Sequence, residues 1–487
     1  MSVDLQKIAA DAPLAERSFW SIVLTLFFGS FVGMYHTVSL NMSLPGFIHL
    51  FNTQLGTVQW IVTGFTLAAG VIAPVTGYAI DRFGGKRLFL FALAGVNLCA
   101  VLCALSWNIY ALIVFRVLQG IFCGLLQPLS LAMIYQLLPE QRRPFAVSVW
   151  SFSTVLGTAL APSMSGWLQE YDWHWIFLVT LPIGVVVCLL GARLLPADRC
   201  QKRIKLDGAG LTLAAVASLA LLLVFGNLQA WGWGSAKAWI CLTVGLGCGI
   251  GFIVHELRTD APLLQLRLFR SIPFTVSLII SLILQTSLYA GITFIPLYLA
   301  DMQGLSALQI ALLFLPAAFC LTCATLISGH FYTKFGAGWL ILCGGLILVG
   351  TTYHFSSLQP DTSLLSIMLW LSLRNTGTGL AMTPATNVGM SAIPEALSGH
   401  ASALINWLRT IFSAMTISLL TSVFTVRLDG NRQQLLALGH DQSDAAFQTV
   451  LYTMSFHDIF IIASVITAVA LPLSFLVMHR GDPKRGN

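Results

Sequence analysis

Charge is scarce in this chain. Asp, Glu, Lys and Arg make up 9% of its 487 residues, against roughly 25% in a soluble protein. Apolar residues fill 57%, and mean hydropathy is +0.83. A single soluble core stops growing near ~250–300 residues, so a water-soluble fold of this length has nowhere to hide that surface. Disorder needs low hydrophobicity and is excluded by the same figures. The net charge of +6 is spread over short loops without a basic stripe, so nucleic acid is not an expected partner. HExxH and GxSxG are missing and the ten histidines are scattered. No enzyme activity, cofactor or metal is expected. The ten cysteines suggest no disulfide framework: all but Cys200 lie in apolar runs. Cys320 and Cys323 have redox spacing but read as small packing residues inside such a run.

What is present is long apolar runs. A helix needs about 20 such residues to cross ~30 Å of hydrocarbon. Fourteen stretches qualify: 18–43, 55–80, 87–106, 109–137, 145–168, 174–195, 208–228, 236–255, 272–299, 306–330, 338–356, 362–390, 398–425 and 456–478. Barrel strands are about 10 residues and alternate, whereas these runs are longer and solidly apolar. The expectation is an all-α membrane protein with fourteen transmembrane helices. The first run is too long for a signal-peptide core, and no clear small-residue cleavage site follows it. Loops on the side of the termini hold 19 of the 25 Lys and Arg, and opposite loops hold three, Lys237, Arg427 and Arg432. The positive-inside rule then puts both termini in the cytoplasm. Trp60, Trp107, Trp173, Trp231 and Trp233 near run ends suit aromatic belts. The segment 426–455 reads as the longest polar loop.

Two segments match each other. Gly77-Tyr-Ala-Ile-Asp-Arg-Phe-Gly-Gly-Lys-Arg-Leu-Phe-Leu90 shares five of fourteen positions with Gly329-His-Phe-Tyr-Thr-Lys-Phe-Gly-Ala-Gly-Trp-Leu-Ile-Leu342. Arg116 in the fourth run echoes Arg374 in the twelfth. Such repeats imply two six-helix halves that enclose a mid-membrane cavity and rock around it. The expected division is an N-terminal half at 1–195 and a C-terminal half at 271–487. Between them, 196–270 forms a basic linker and an extra helix pair.

These motifs resemble the major facilitator superfamily, specifically its fourteen-helix drug:proton antiporter branch. The match runs nearly end to end. It includes Gln59-Trp-Ile-Val-Thr-Gly-Phe-Thr-Leu-Ala68, Pro74-Val-Thr-Gly-Tyr-Ala-Ile-Asp-Arg-Phe-Gly84 and Arg116-Val-Leu-Gln-Gly120. It continues through Gly157 to Pro162, Gly166-Trp167, Trp173-His-Trp-Ile-Phe177 and Leu181-Pro-Ile-Gly184. The resemblance implies the major facilitator fold, a multi-pass protein of the bacterial inner membrane. It also implies export of amphiphilic small molecules, multidrug efflux among them, against inward proton flow. Gram-negative members of the branch often work with a periplasmic adaptor, but no adaptor site is visible here. A bundle of this size is expected to act as a monomer.

The loop from Gly77 to Arg87 reads as a cytoplasmic switch. Gly84 permits a tight turn, Gly77 permits close helix contact, and Asp81 can meet the positive end of a helix dipole. Arg82 and Arg87 can pair with acids or lipid phosphates; plain positive-inside topology is the simpler role for them. Gly157, Pro162 and Gly166 form a small-residue, kinked stripe on the fifth span, expected to face a helix of the other half. Arg116 lies inside a span, where a charge costs at least ~2.5–3.5 kcal/mol on insertion scales. It serves either coupling and substrate binding or a tie to neighbouring carbonyls. Arg374 and Arg409 pose the same question.

The branch carries a first-span pattern of Leu-Asp, one free position, then Thr-Ile-Val-Asn-Val-Ala-Leu-Pro. The run here is Tyr35-His-Thr-Val-Ser-Leu-Asn-Met-Ser-Leu-Pro45, so His36 stands at the aspartate. No Asp or Glu lies deep in any predicted span. His36, with an ordinary pKa of about 6.5, becomes the candidate proton carrier beside Arg116, or else a cavity residue that packs or binds substrate. Tyr35, Asn41, Gln127, Gln285, Tyr289, Arg374, Asn387 and Asn406 are candidate cavity residues. Without buried acids, the cavity favours an anionic or neutral substrate. A dedicated exporter of such a metabolite, siderophore-like or lipid-like, is therefore the second reading, and a facilitator without proton coupling is a third.

Overall fold

The computed structural model describes residues 2–40, 43–197, 207–260, 262–437 and 445–480. Asn41 and the basic linker residues Arg199, Lys202, Arg203 and Lys205 lie outside the described residues. Among the described residues all regular structure is helical. The chain runs through α1 (Ser2–Val38), α2 (Leu44–Leu50), α3 (Leu55–Ile72), α4 (Val75–Phe83), α5 (Gly85–Ala104), α6 (Ile109–Leu137), α7 (Arg143–Tyr171), α8 (Trp175–Leu178) and α9 (Leu181–Leu194). α10 (Gly208–Trp231) and α11 (Ala236–Arg258) follow. The remainder is α12 (Ile272–Gln303), α13 (Ala307–Phe335), α14 (Ala337–His354), α15 (Leu364–Ser391), α16 (Ser398–Ala437), α17 (Ala445–Ala468) and α18 (Ala470–Arg480).

Among the described residues, twelve helical segments are long and apolar enough to cross a membrane, and the pair α3–α4 makes a thirteenth as one bent span. That pair bends by 59° at Ala73-Pro74. Pro74 supplies no N–H, and its ring crowds the preceding turn. Proline also explains two other breaks. Pro182 cannot donate to the carbonyl of Leu178, where α8 stops, and Pro472 cannot donate to that of Ala468, where α17 stops. α15 has 28 residues, about 42 Å of helix. It falls outside the apolar set because Arg374, Asn375 and several threonines dilute it.

Two sequence expectations need correction. The first span was expected to reach residue 43, but α1 ends at Val38. The segment 426–455 is largely helix: α16 runs on to Ala437, and α17 begins at Ala445. Its Arg, Gln and Leu residues are good helix formers, so polarity there marks emergence from lipid rather than loss of helix.

The chain divides into two compact units. Unit 1 comprises 1–216, 249–266 and 394–407, and unit 2 comprises 217–248, 267–393 and 408–487. Lipid tails are as apolar as leucine, so close packing and interhelical hydrogen bonds hold such helices together. In unit 1, Gly120 and Gly124 of α6 lie directly on the Phe65 and Ala69 carbonyls of α3. In unit 2, Gly344 of α14 and Gly377 of α15 face each other's carbonyls, and Gly379 meets that of Leu321 on α13. Fully buried Phe47, Ile61 and Phe177 anchor the core of unit 1; Phe294, Tyr298 and Phe456 anchor that of unit 2. The repeated loop motif has a backbone signature. Gly84 joins α4 to α5 at φ 85°, and Gly336 joins α13 to α14 at φ 79°, a region that side chains disfavour.

Candidate functional site

In unit 1 the site is built on the end of α1. Tyr35 and His36 are fully buried there. The Tyr35 hydroxyl donates to the Ile176 carbonyl at 3.2 Å. His36 Nε2 pairs with Thr180 Oγ1 at 2.9 Å, while His36 Nδ1 is buried without a partner. The break between α8 and α9 delivers both Thr180 and the carbonyl of Ile176 to this point.

Arg116 of α6 is fully buried beside them. Its guanidinium donates to the Ile61 carbonyl at 3.3 Å, the Gln119 amide oxygen at 2.7 Å and the His36 carbonyl at 3.0 Å. It also lies 4.1 Å from the centre of the Phe65 ring, a favourable cation–π contact. Gln119 in turn donates to the Val96 carbonyl at 3.4 Å. Arg116 therefore binds the backbone of His36, not its ring, and ties α1 and α3 to α6. Gln127, two turns on, donates to the Ser30 carbonyl at 3.2 Å. Asn406 donates to the Ser402 carbonyl in its own helix at 2.9 Å.

In unit 2, Arg374 of α15 is fully buried and donates to the Ser287 carbonyl of α12. Gly291 lies directly on its guanidinium. Gln285 is buried with its amide oxygen unpartnered, and Asn387 is buried on α15. Tyr289 is half-buried, and its hydroxyl pairs with Ser413. Arg409 stands beside it and donates to Thr386 Oγ1 at 2.8 Å.

The switch residues also have definite places. Asp81 Oδ2 lies 3.4 Å from His400 Nε2, in the first turn of α16. A Cβ on Gly77 would stand 2.9 Å from His400 Cα. Arg82 donates to the Tyr78 hydroxyl at 2.7 Å, and Arg87 is exposed. Gly157 packs on α1, where a Cβ would sit 2.9 Å from Met34 Cβ. Pro162 lies inside an unbroken α7, and Gly166 has open space around it.

Sequence reasoning passed over three features. His400 meets Asp81 although nothing in its local sequence marks it. Arg143 pairs with Glu395; the double arginine was visible, its acid partner 252 residues away was not. Glu256, one residue past the predicted eighth span, is only 1% exposed. One of its oxygens accepts from the Leu264 N–H at 3.1 Å, and neighbouring His255 holds Asp207 at 2.9 Å.

The two fully buried arginines, Arg116 and Arg374, are thus tied to backbone carbonyls rather than to acids. The model of the Major Facilitator Superfamily matches residues 26–417. The chain belongs to that superfamily. It is a multi-pass membrane transporter, not an enzyme. It is similar to the uncharacterized MFS-type transporter YhcA of Bacillus subtilis, with 32% identity across 85% of this chain and 78% of the relative. It is 28% identical to the fatty acid resistance protein FarB of Neisseria gonorrhoeae, across 85% of this chain and 82% of that protein. Other relatives, 24–28% identical, are named as drug resistance or export proteins. The crystal structure of the human organic anion transporter MFSD10 shares the fold, with TM-score 0.61, 16% identity, and coverage of 92% of this chain and 99% of that one.

Proposed function

We propose that this transporter is a secondary exporter of amphiphilic small molecules from the bacterial cytoplasm, exchanging them for protons by alternating access. The thirteen spans above, with polar α15 as one more, make fourteen. The two six-helix halves at 1–195 and 271–487 and an extra helix pair between them account for that number. Both termini face the cytoplasm on the charge distribution of the loops, and the membrane is the inner membrane. The efflux-type relatives support the direction of transport.

The observation that carries the reading is His36. It stands where the branch has an acid, fully buried on α1, with one ring nitrogen on Thr180 and the other unpartnered. A neutral imidazole keeps one acceptor nitrogen whichever tautomer it adopts, so the ring can load a proton from an acidic side. Each proton entering at 100 mV supplies about 2.3 kcal/mol. The scarcity of acids inside spans, together with the likeness to a fatty acid resistance protein, favours a narrower reading: a dedicated exporter of an anionic or neutral metabolite.

The test is transport in proteoliposomes with an imposed pH gradient, for wild type, His36→Ala and His36→Asp. The expected result is gradient-driven transport by the wild type, loss of its gradient dependence in His36→Ala, and recovery in His36→Asp. Unchanged gradient dependence in His36→Ala removes His36 from the coupling route.

A further inference from the structure

Three arginines lie inside the spans, and they are not alike. Arg116 and Arg374 are fully buried and donate to backbone carbonyls. Arg409 is half-buried. It lies eleven residues into α16, about 16 Å along the helix, and so near the middle of a ~30 Å hydrocarbon layer. A charged side chain at that depth faces the bundle interior or a water-filled cavity rather than lipid.

Its surroundings supply hydroxyls and no countercharge. It spends a donor on Thr386 Oγ1 at 2.8 Å, and its Nε is buried without a partner. Among the described residues no carboxylate pairs with it. Ser413 follows it by one helical turn on the same face, and binds the hydroxyl of Tyr289 from α12. Hydroxyls from α12, α15 and α16 therefore gather around one uncompensated cation, all within unit 2. The Thr386 and Ser413 hydroxyls give their own protons to the Met382 and Thr410 carbonyls, so their oxygens steady Arg409 and Tyr289, and the guanidinium is left to grip a planar oxyanion through its paired donors. This is half of an ion pair.

From this, and resting on the exporter reading, we infer that Arg409, held in place by Thr386 beside Tyr289 and Ser413, binds the anionic head group of the transported amphiphile. Carboxylates and sulfonates fit the donor set. Quaternary cations are repelled by it. Arg409 thereby sets charge selectivity, whereas Arg116 and Arg374 hold helices.

Purified protein in detergent is titrated with 8-anilinonaphthalene-1-sulfonate, ionised throughout the assay, and with N-phenyl-1-naphthylamine, the same skeleton without the sulfonate. Wild type is expected to bind the sulfonate saturably. Arg409→Gln should weaken sulfonate binding about ten-fold or more and leave the amine within about two-fold. Should Arg409→Gln fail to fold, Arg409→Lys serves instead, keeping the charge but not the paired donors, with an expected loss of about three-fold or more for the sulfonate alone. Equal losses for both dyes, an unchanged sulfonate affinity, or no saturable sulfonate binding by the wild type would each overturn the assignment. Gradient-driven transport of both dyes is measured in parallel. Transport of the amine without sulfonate binding overturns the anion site and leaves the exporter reading standing. Arg409-dependent sulfonate binding without transport of either dye supports the site and counts against the exporter reading.

Discussion

Arg116 of α6 and Arg374 of α15 occupy corresponding places in the two units, and each is fully buried. Arg116 reaches the His36 carbonyl of α1, and Arg374 reaches the Ser287 carbonyl of α12. Close backbone contact supports both: Gly120 on the Phe65 carbonyl in unit 1, Gly379 on the Leu321 carbonyl in unit 2. The differences lie around this shared clamp. Arg116 adds the Ile61 carbonyl, Gln119 and the Phe65 ring, while Arg374 keeps an unpartnered Nε. Unit 1 sets a histidine next to its clamp; unit 2 carries a second, half-exposed arginine. What is duplicated is scaffold, and what is not duplicated is where coupling and selectivity can reside.

The largest effect should come from removing the better-tied clamp. Arg116→Ala deletes three hydrogen bonds from a charged donor, each worth about 1.5–3 kcal/mol, and strands buried carbonyls. The expected loss is about 3 kcal/mol or more, read by thermal unfolding through tryptophan fluorescence in detergent. Arg374→Ala should cost about half as much. Equal losses would mean that the extra contacts of Arg116 contribute nothing, and the contrast between the units would fall.

Much of this was legible in the sequence. Apolar length and loop charge gave the helical membrane class, and the glycine pattern of 77–90 and 329–342 gave the repeat, because only glycine suits the φ of Gly84 and Gly336. Other features were illegible for specific reasons. Prolines at 74, 182 and 472 break helices that hydropathy draws as continuous. The carbonyl that receives Arg116 is backbone, which no residue pattern reports. Arg143 with Glu395, and Asp81 with His400, pair across hundreds of residues, so neither partner announces the other. The exposure that separates Arg409 from the other two arginines is a property of three-dimensional surroundings alone.

A smaller effect sharpens the scaffold half of the comparison. A Cβ on Gly120 would press on the Phe65 carbonyl, and one on Gly379 would stand 2.7 Å from the Leu321 carbonyl. Backbone cannot swing aside, so Gly120→Ala and Gly379→Ala should each cost about 1–3 kcal/mol. Gly166 has nothing within 4 Å, and Gly166→Ala should stay within about 0.5 kcal/mol. Melting temperatures of the three variants decide the matter. A destabilised Gly166→Ala with a silent Gly120→Ala would reverse the assignment of close contacts.

The smallest predicted effect concerns the loops that the repeat duplicated. Asp81 in the first copy aligns with Thr333 in the second, so the two loops share their glycine turn but not their acid. Only the first copy can therefore draw on a negative charge, and it does so at His400 Nε2, in the first turn of α16, where the helix dipole also favours an acid. If that contact biases one conformation, Asp81→Asn should slow transport about five-fold, the lower end of ordinary coupling energies, with little change in melting temperature. His400→Ala should do the same. The double variant separates the two sources of attraction. If Asp81 works through the His400 ring, the double variant is no slower than either single one. If Asp81 works through the helix end, His400→Ala alone leaves the rate unchanged, and the latch belongs to the backbone rather than to a side chain that the second loop lacks.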